Sequence, residues 1–222
     1  MSSESSETDG IVIRIMNVSD YQNVKNAMGG NINRDEPLDT CCGGYVNKLY
    51  QQTDDDYHIS IVEKGTSLMA IDEKNGGRIV GIVVAAPQTP SDVIRFTKDI
   101  RTSTDYERID ILISKVEEEA NLYKRYGISK LLCSHITYVD ATMRGKGLGA
   151  RLTTALMELG RSKGYPLLVA YCTSFYSARQ KQALGMECVY KLAYADFKDA
   201  NGKVVFNPPE PHTHIRVMAI KL

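Results

Sequence analysis

Tryptophan is absent from the 222 residues, and only four phenylalanines occur. Thirteen tyrosines supply most of the aromatic surface, so a pocket here has few large apolar rings to draw on. No charge of one sign dominates, with 27 Lys and Arg against 27 Asp and Glu. That balance argues against nucleic-acid and membrane-surface partners, which need a basic patch. No apolar run nears the roughly 20 residues that span a bilayer. The five cysteines, at positions 41, 42, 133, 172 and 188, are odd in number and lack the spacing of a disulfide framework. A reduced, cytoplasmic protein is the expectation. The opening M-S-S-E-S-S-E-T-D-G is polar and acidic, unlike a signal or transit peptide. Residues 1–10 are expected to form a disordered tail, leaving 11–222 as a single domain. Histidine is scarce too. His212-x-His214 lies beside prolines but has no third ligand at a suitable spacing, so no metal is expected. His135, on a strand, reads as a core or pocket residue.

The patterning that remains is mostly strand. Ile11–Val18 alternates and predicts a first strand, with Ser19-Asp20 capping a helix to about Met28. Cys42–Tyr50 and Asp54–Lys64 can each be helical. Thr66–Asp72 and Arg78–Ala86 predict strands joined through E-K-N-G-G, a good hairpin turn. The second strand is almost wholly apolar and belongs in the middle of a sheet. Glu107–Tyr126 predicts one long helix ended by Gly127, with Glu117-Glu118-Glu119 largely on its solvated face. Strands follow at Leu131–Asp140, Leu167–Thr173, Glu187–Tyr194 and Ile215–Lys221. Helices fill Leu148 to Lys163 and Ser174–Leu184. The order fits an α/β (α+β) mixed sheet flanked by helices.

The richest stretch is T-M-R-G-K-G-L-G-A-R-L, from Thr142 to Leu152. Gly145, Gly147 and Gly149 alternate with larger residues between a strand and an amphipathic helix whose apolar face is Leu148, Leu152, Ala155, Leu156 and Leu159. Glycine permits positive φ and close backbone approach. The unpaired amides of a helix start, backed by its dipole, can hold a phosphate or pyrophosphate. The bare pattern fits that site and a purely structural turn equally well. Two nucleotide motifs are excluded. A Rossmann fingerprint needs its glycines in a first βα unit and an acidic residue about 20 positions on. A P-loop ends in Gly-Lys-Ser/Thr, whereas Leu148 follows Gly147.

Arg144, Gly147 and Gly149 match Arg/Gln-x-x-Gly-x-Gly/Ala at a strand-to-helix turn, and here the chain resembles the GNAT superfamily of acyl-CoA-dependent N-acyltransferases. A narrower resemblance lies in D-E-P-L (35–38), T-Y-V-D (137–140), C-T-S-F-Y-S-A-R (172–179), A-D-F-K (195–198), V-V-F (204–206) and I-R-V-M-A (215–219). Together these blocks look like the insect arylalkylamine N-acetyltransferases, over about residues 11–222.

The resemblance implies a GNAT-type mixed sheet of about seven strands and acetyl-CoA as co-substrate. It implies that Arg144, Gly145, Lys146, Gly147, Leu148, Gly149 and Ala150 hold the pyrophosphate. Ile136, Thr137, Tyr138 and Val139 would bond the pantetheine as an added strand does. Glu36 matches the proposed catalytic base; a carboxylate with a raised pKa can deprotonate an ammonium, and burial with Asp35 beside it would raise it. Read without the resemblance, Glu36 is a carboxylate that turns the chain before Pro37. Thr173 and Ser177 match two hydroxyls near the reaction centre, with Ser177 placed to donate to the departing thiolate and so touching the cofactor as well. Ser174 reads as a helix N-cap, and Tyr171 as a packing residue. Lys181 stands where many GNAT members carry a general-acid tyrosine. No cysteine has a context that makes it a nucleophile, so direct transfer is the simpler mechanism, with an oxyanion held by an amide near Tyr138–Val139. The implied acceptors are arylalkylamines such as dopamine, tyramine, octopamine and serotonin. Polyamines, hydrazines, longer acyl chains and a non-catalytic acyl-CoA-binding module are the alternatives. The expected partners are the amine and acetyl-CoA, and the expected state is a monomer.

Overall fold

The computed structural model describes residues 9–28, 36–41, 55–93, 100–101 and 103–222. The helix expected over Cys42–Tyr50 and the side chain of Asp35 lie outside the described residues. Seven strands among them form one mixed sheet: β1 (Ile11–Ile15), β2 (Leu68–Asp72), β3 (Arg78–Gln88), β4 (Leu131–Val139), β5 (Leu167–Cys172), β6 (Glu187–Ala193) and β7 (His214–Lys221). Their order is β1-β2-β3-β4-β5-β7-β6. Only β4 and β5 run parallel; every other neighbouring pair is antiparallel. The helices are α1 (Tyr21–Met28), α2 (Pro37–Cys41), α3 (Asp55–Glu63), α4 (Asp105–Ala120), α5 (Leu122–Tyr126), α6 (Leu148–Ser162) and α7 (Phe175–Ala183). The expected mixed sheet with flanking helices is what the chain forms.

Period-two alternation decides which helix each strand faces. On β3, Val83 and Ala85 face α6, packing with Leu148, Leu152 and Leu156 in one apolar layer. Ile82, Val84 and Ala86 face the other way, toward Tyr21, Val24, Ile61 and Val62 of α1 and α3. Further along that second face, Leu167 and Val169 of β5 pack with Leu112 and Val116 of α4 and with Leu38 of α2. Gly81 lets α6 lie close, since a Cβ there would sit 2.9 Å from Leu152 Cδ1.

Two elements differ from the sequence reading. The first strand stops at Ile15, because Val18–Asp20 turn as a 3-10 helix. There Asp20 accepts from the Asn17 amide at 2.8 Å and binds both terminal nitrogens of Arg14 at 2.7 Å. The long helix over Glu107–Tyr126 is two helices. Asn121 adopts φ 46° and ψ 49°, ending α4 and starting α5; asparagine tolerates this left-handed conformation better than most residues. Thr104 and Glu107 form the capping box that starts α4, two residues before the predicted start.

Candidate active site

Ladder pairing between β4 and β5 covers only Leu132, Cys133 and Ser134 against Leu168, Val169 and Ala170. Beyond that the parallel strands part. β4 stays paired with β3 as far as Val139, so the opposite edge of Ile136–Val139 has no strand partner among the described residues. A bulge starts this change: Val84 opposes Ile136 and Ala85 opposes Ser134, leaving His135 unopposed. Bulges bend a strand and re-aim its side chains. The opening becomes a cleft of about 780 Å³.

The glycine turn forms one wall. Asp140, at the end of β4, accepts from the Thr142 amide at 2.9 Å, and Arg144 Nε returns to the Val139 carbonyl at 3.1 Å. Gly145 and Gly147 have φ of 74° and 79°, and a Cβ on either would meet nothing within 4 Å. Backbone conformation, not crowding, therefore requires glycine, and the space in front stays open. Gly147 is the N-cap of α6 and has no side chain to cap it. The first amides of α6 are thus left for a ligand. Ile136, Thr137, Tyr138, Val139, Arg144, Gly145, Gly147, Leu148, Gly149, Ala150 and Ser177 all line the cleft. Lys146 does not. It lines a neighbouring cavity with Asp9, Lys74 and Arg151 on the flank of the turn.

The end of β5 and the start of α7 form a second wall. Ser174 caps α7, accepting from the Tyr176 amide at 3.2 Å, as expected. His212 Nδ1 accepts from the Phe175 amide at 3.2 Å, so this histidine is a second cap. No group of His, Cys, Asp and Glu among the described residues could hold a metal. Ser177 Oγ donates to the Ser174 carbonyl at 2.9 Å and must turn to reach a ligand. Gln180 Nε2 ties α7 to the Gly149 carbonyl at 3.2 Å and to Thr153 Oγ1 at 3.1 Å. Lys181 is buried in the cleft lining.

Glu36 comes from the start of α2, held there by fully buried Leu38. Its carboxylate accepts from the Thr173 hydroxyl and, at 3.4 Å, from the Leu38 amide. Burial raises its pKa to about 7 against those two donors, and Asp39 and Cys41 push the same way. The like charge identified here is Asp39, itself raised to about 6 by burial. Thr173 is fixed in turn: Tyr194 donates to its carbonyl at 2.7 Å. His135 opens onto the cleft, yet the surrounding protein desolvates it and lowers its pKa to about 4. The Cys172 thiol is buried and pushed up by desolvation, the reverse of what a nucleophilic cysteine needs.

The structure thus brings Glu36, Thr173 and Ser177 to one cleft with the β4 edge and the glycine turn. It also brings to the cleft's neighbourhood residues that the sequence reading placed elsewhere. Tyr171 is no mere packing residue, since it lines the cleft and its hydroxyl bonds Glu117. Glu117 is half-buried and also accepts from Gln88 Nε2 at 3.0 Å, whereas Glu118 and Glu119 are exposed. The only sequence cue was Gln88, a polar residue closing an apolar strand.

A mixed sheet that splays beside a glycine-started helix, with a carboxyl facing the splay, defines an acyl-CoA transferase type of fold. No sequence-family model matches the chain. Among solved structures it is similar to the mosquito arylalkylamine N-acetyltransferase like 5b, with 28% identity and a TM-score of 0.82 over 96% of this chain and 100% of that one. An agmatine N-acetyltransferase shares 30% identity at a TM-score of 0.81, over 96% and 100%. The Drosophila melanogaster polyamine N-acetyltransferase, which forms N-acetylagmatine, shares 30% at 0.80, over 96% and 100%. The chain belongs to the GNAT superfamily, and its similarity extends to both the arylalkylamine and the polyamine N-acetyltransferases of insects.

Proposed function

We propose that the protein transfers the acetyl group of acetyl-CoA directly to a small primary amine, with Glu36 as general base. One observation carries the reading: the raised carboxyl of Glu36 lines the same cleft as the unpaired β4 edge and the open glycine turn. The pantetheine would pair along Ile136–Val139, and its pyrophosphate would meet the amides that open α6. Near neutral pH an amine is mostly protonated, and only its free form attacks. Glu36 accepts the ammonium proton, the nitrogen adds to the thioester carbon, and the C–S bond breaks. Coenzyme A leaves as a thiolate, and the second proton that the attacking nitrogen sheds as the amide forms is passed to that sulfur through the Ser177 hydroxyl or solvent. Thr173 positions Glu36. An amide near Tyr138–Val139 holds the oxyanion. Arylalkylamines are the acceptor class implied by the sequence resemblance and by the mosquito neighbour. Agmatine-type acceptors are the second reading, and the Glu117 carboxylate bonded to the cleft residue Tyr171 favours it.

Acceptor-dependent thiol release from acetyl-CoA is the test. Replacing Glu36 with Gln should lower turnover about 10²- to 10⁴-fold, the usual worth of a positioned base, with coenzyme A affinity retained. Unchanged turnover removes Glu36 from the mechanism.

A further inference from the structure

Between the two apolar clusters on the α1–α5 face of the sheet runs a polar seam: Gln88 from β3, Glu117 from α4, Tyr123 from α5 and Tyr171 from β5. The Glu117 carboxylate receives the Gln88 amide and the Tyr171 hydroxyl. Among the described residues no lysine or arginine pairs with it. Gln88 is only 7% exposed, and its Oε1 is buried without a hydrogen-bond partner. The amide head is fixed beside Glu117 by its own Nε2. The Tyr123 hydroxyl is buried and unpartnered as well. A buried polar atom left unpaired is costly, so a bound donor that met these oxygens would be held there.

The chemistry of the filler follows from what is missing. Gln88 Oε1 and the remaining carboxylate lone pairs are acceptors, and the Tyr123 oxygen can accept. Only a donor satisfies all three, and beside an unpaired carboxylate the fitting donor is a cation.

Position links the seam to the cleft. Tyr171 lies in β5 and Thr173 just past its end, and both line the cleft. Thr173 holds Glu36 and Tyr171 holds Glu117. Two carboxylates are thus held from one short segment, Glu36 by Thr173 at the proposed reaction point and Glu117 by Tyr171.

We propose that Gln88, Glu117, Tyr123 and Tyr171 form a distal subsite for a second nitrogen cation, an ammonium or guanidinium, on the acceptor amine. This rests on the Glu36 reading above, and deepens it by naming the far end of the substrate. An aliphatic spacer of a few methylenes would join the two nitrogens. A simple arylalkylamine places an uncharged ring there and leaves the acceptors unfilled.

The test compares wild type and Glu117→Gln with acetyl-CoA and four acceptors: phenethylamine, dopamine, 1,4-diaminobutane and agmatine. Wild type should show a KM at least tenfold lower for the two dications than for phenethylamine. E117Q keeps the shape and removes the charge, and should erase that preference through the dication KM. Tyr171→Phe, which removes one hydroxyl holding Glu117, should weaken the same preference if E117Q fails to fold. A wild type that favours phenethylamine or dopamine overturns the subsite, and so does an E117Q that shifts all four KM values alike. The latter result would mean that water fills the seam. Failure of the base reading looks different: E36Q would keep its turnover with every acceptor, or wild type would acetylate none.

Discussion

Glu36 is a carboxyl held near pH 7 by burial, with Thr173 and the Leu38 amide pulling its pKa the other way. As a base it must be ionised, so kcat/KM should climb as pH rises through about 7. Thr173→Val removes a donor that favours the carboxylate. Its ascending limb should therefore move to higher pH, and Thr173→Ser should restore it; a limb that stays put would detach Thr173 from the base. The same shift bears on stability. The carboxyl's pKa rises from an ordinary 4.5 to about 7 on folding. Between those values the folded chain keeps a proton that the unfolded chain has lost, so stability falls as pH rises through this window. Glu36→Gln should be the more stable protein above pH 7, by on the order of 1–3 kcal/mol, with the gap closing below about pH 4.5. Denaturant melts at both ends of the range would show it.

Elements here are fixed by their ends. Thr104 starts α4 with a reciprocal box: Glu107 Oε2 accepts from the Thr104 amide at 2.7 Å, and Thr104 Oγ1 from the Glu107 amide at 3.4 Å. Thr104→Ala should cost about 1 kcal/mol. Asn121 separates α4 from α5 at positive φ. Asn121→Gly should preserve or raise the melting temperature, while Asn121→Val should lower it by the roughly 1–2 kcal/mol that a left-handed β-branched residue pays. Equal effects of Gly and Val would refute the backbone argument. The break also explains why one period of apolar residues read as a single helix. Asn121 interrupts the helix for one residue only, so the apolar pattern is nearly kept across it. Glu117 was misjudged for a related reason. Three consecutive glutamates spread around a helix at 3.6 residues per turn, and one of them must lean inward.

At the scale of the whole molecule the splay of β4 from β5 is the weak point of the sheet, since backbone groups there lack strand partners. A ligand that supplies donors and acceptors along that edge binds the folded state alone. Coenzyme A at about 100 times its dissociation constant should add about 2.7 kcal/mol, a rise in Tm of roughly 5–10 °C for a chain of this size. An amine alone should give a smaller shift, because its site lacks the thioester wall. No rise with coenzyme A would mean that the cleft does not take it. Among the described residues no helix is long and apolar enough to cross a membrane.

Local patterns told much of this from the chain alone. Alternation located the seven strands within a few residues, glycine placement marked the turn before α6, and Ser174 declared itself a cap. Those features depend on neighbours close in sequence, where propensity and periodicity act directly. Other features come from distant segments. The bulge at His135, the burial that raises Glu36, the second cap from His212 and the Gln88–Glu117–Tyr171 seam each join groups far apart in sequence. No spacing rule encodes such meetings. They arise because packing a sheet between two helical layers forces particular polar groups out of water, and only the folded chain decides which groups meet there.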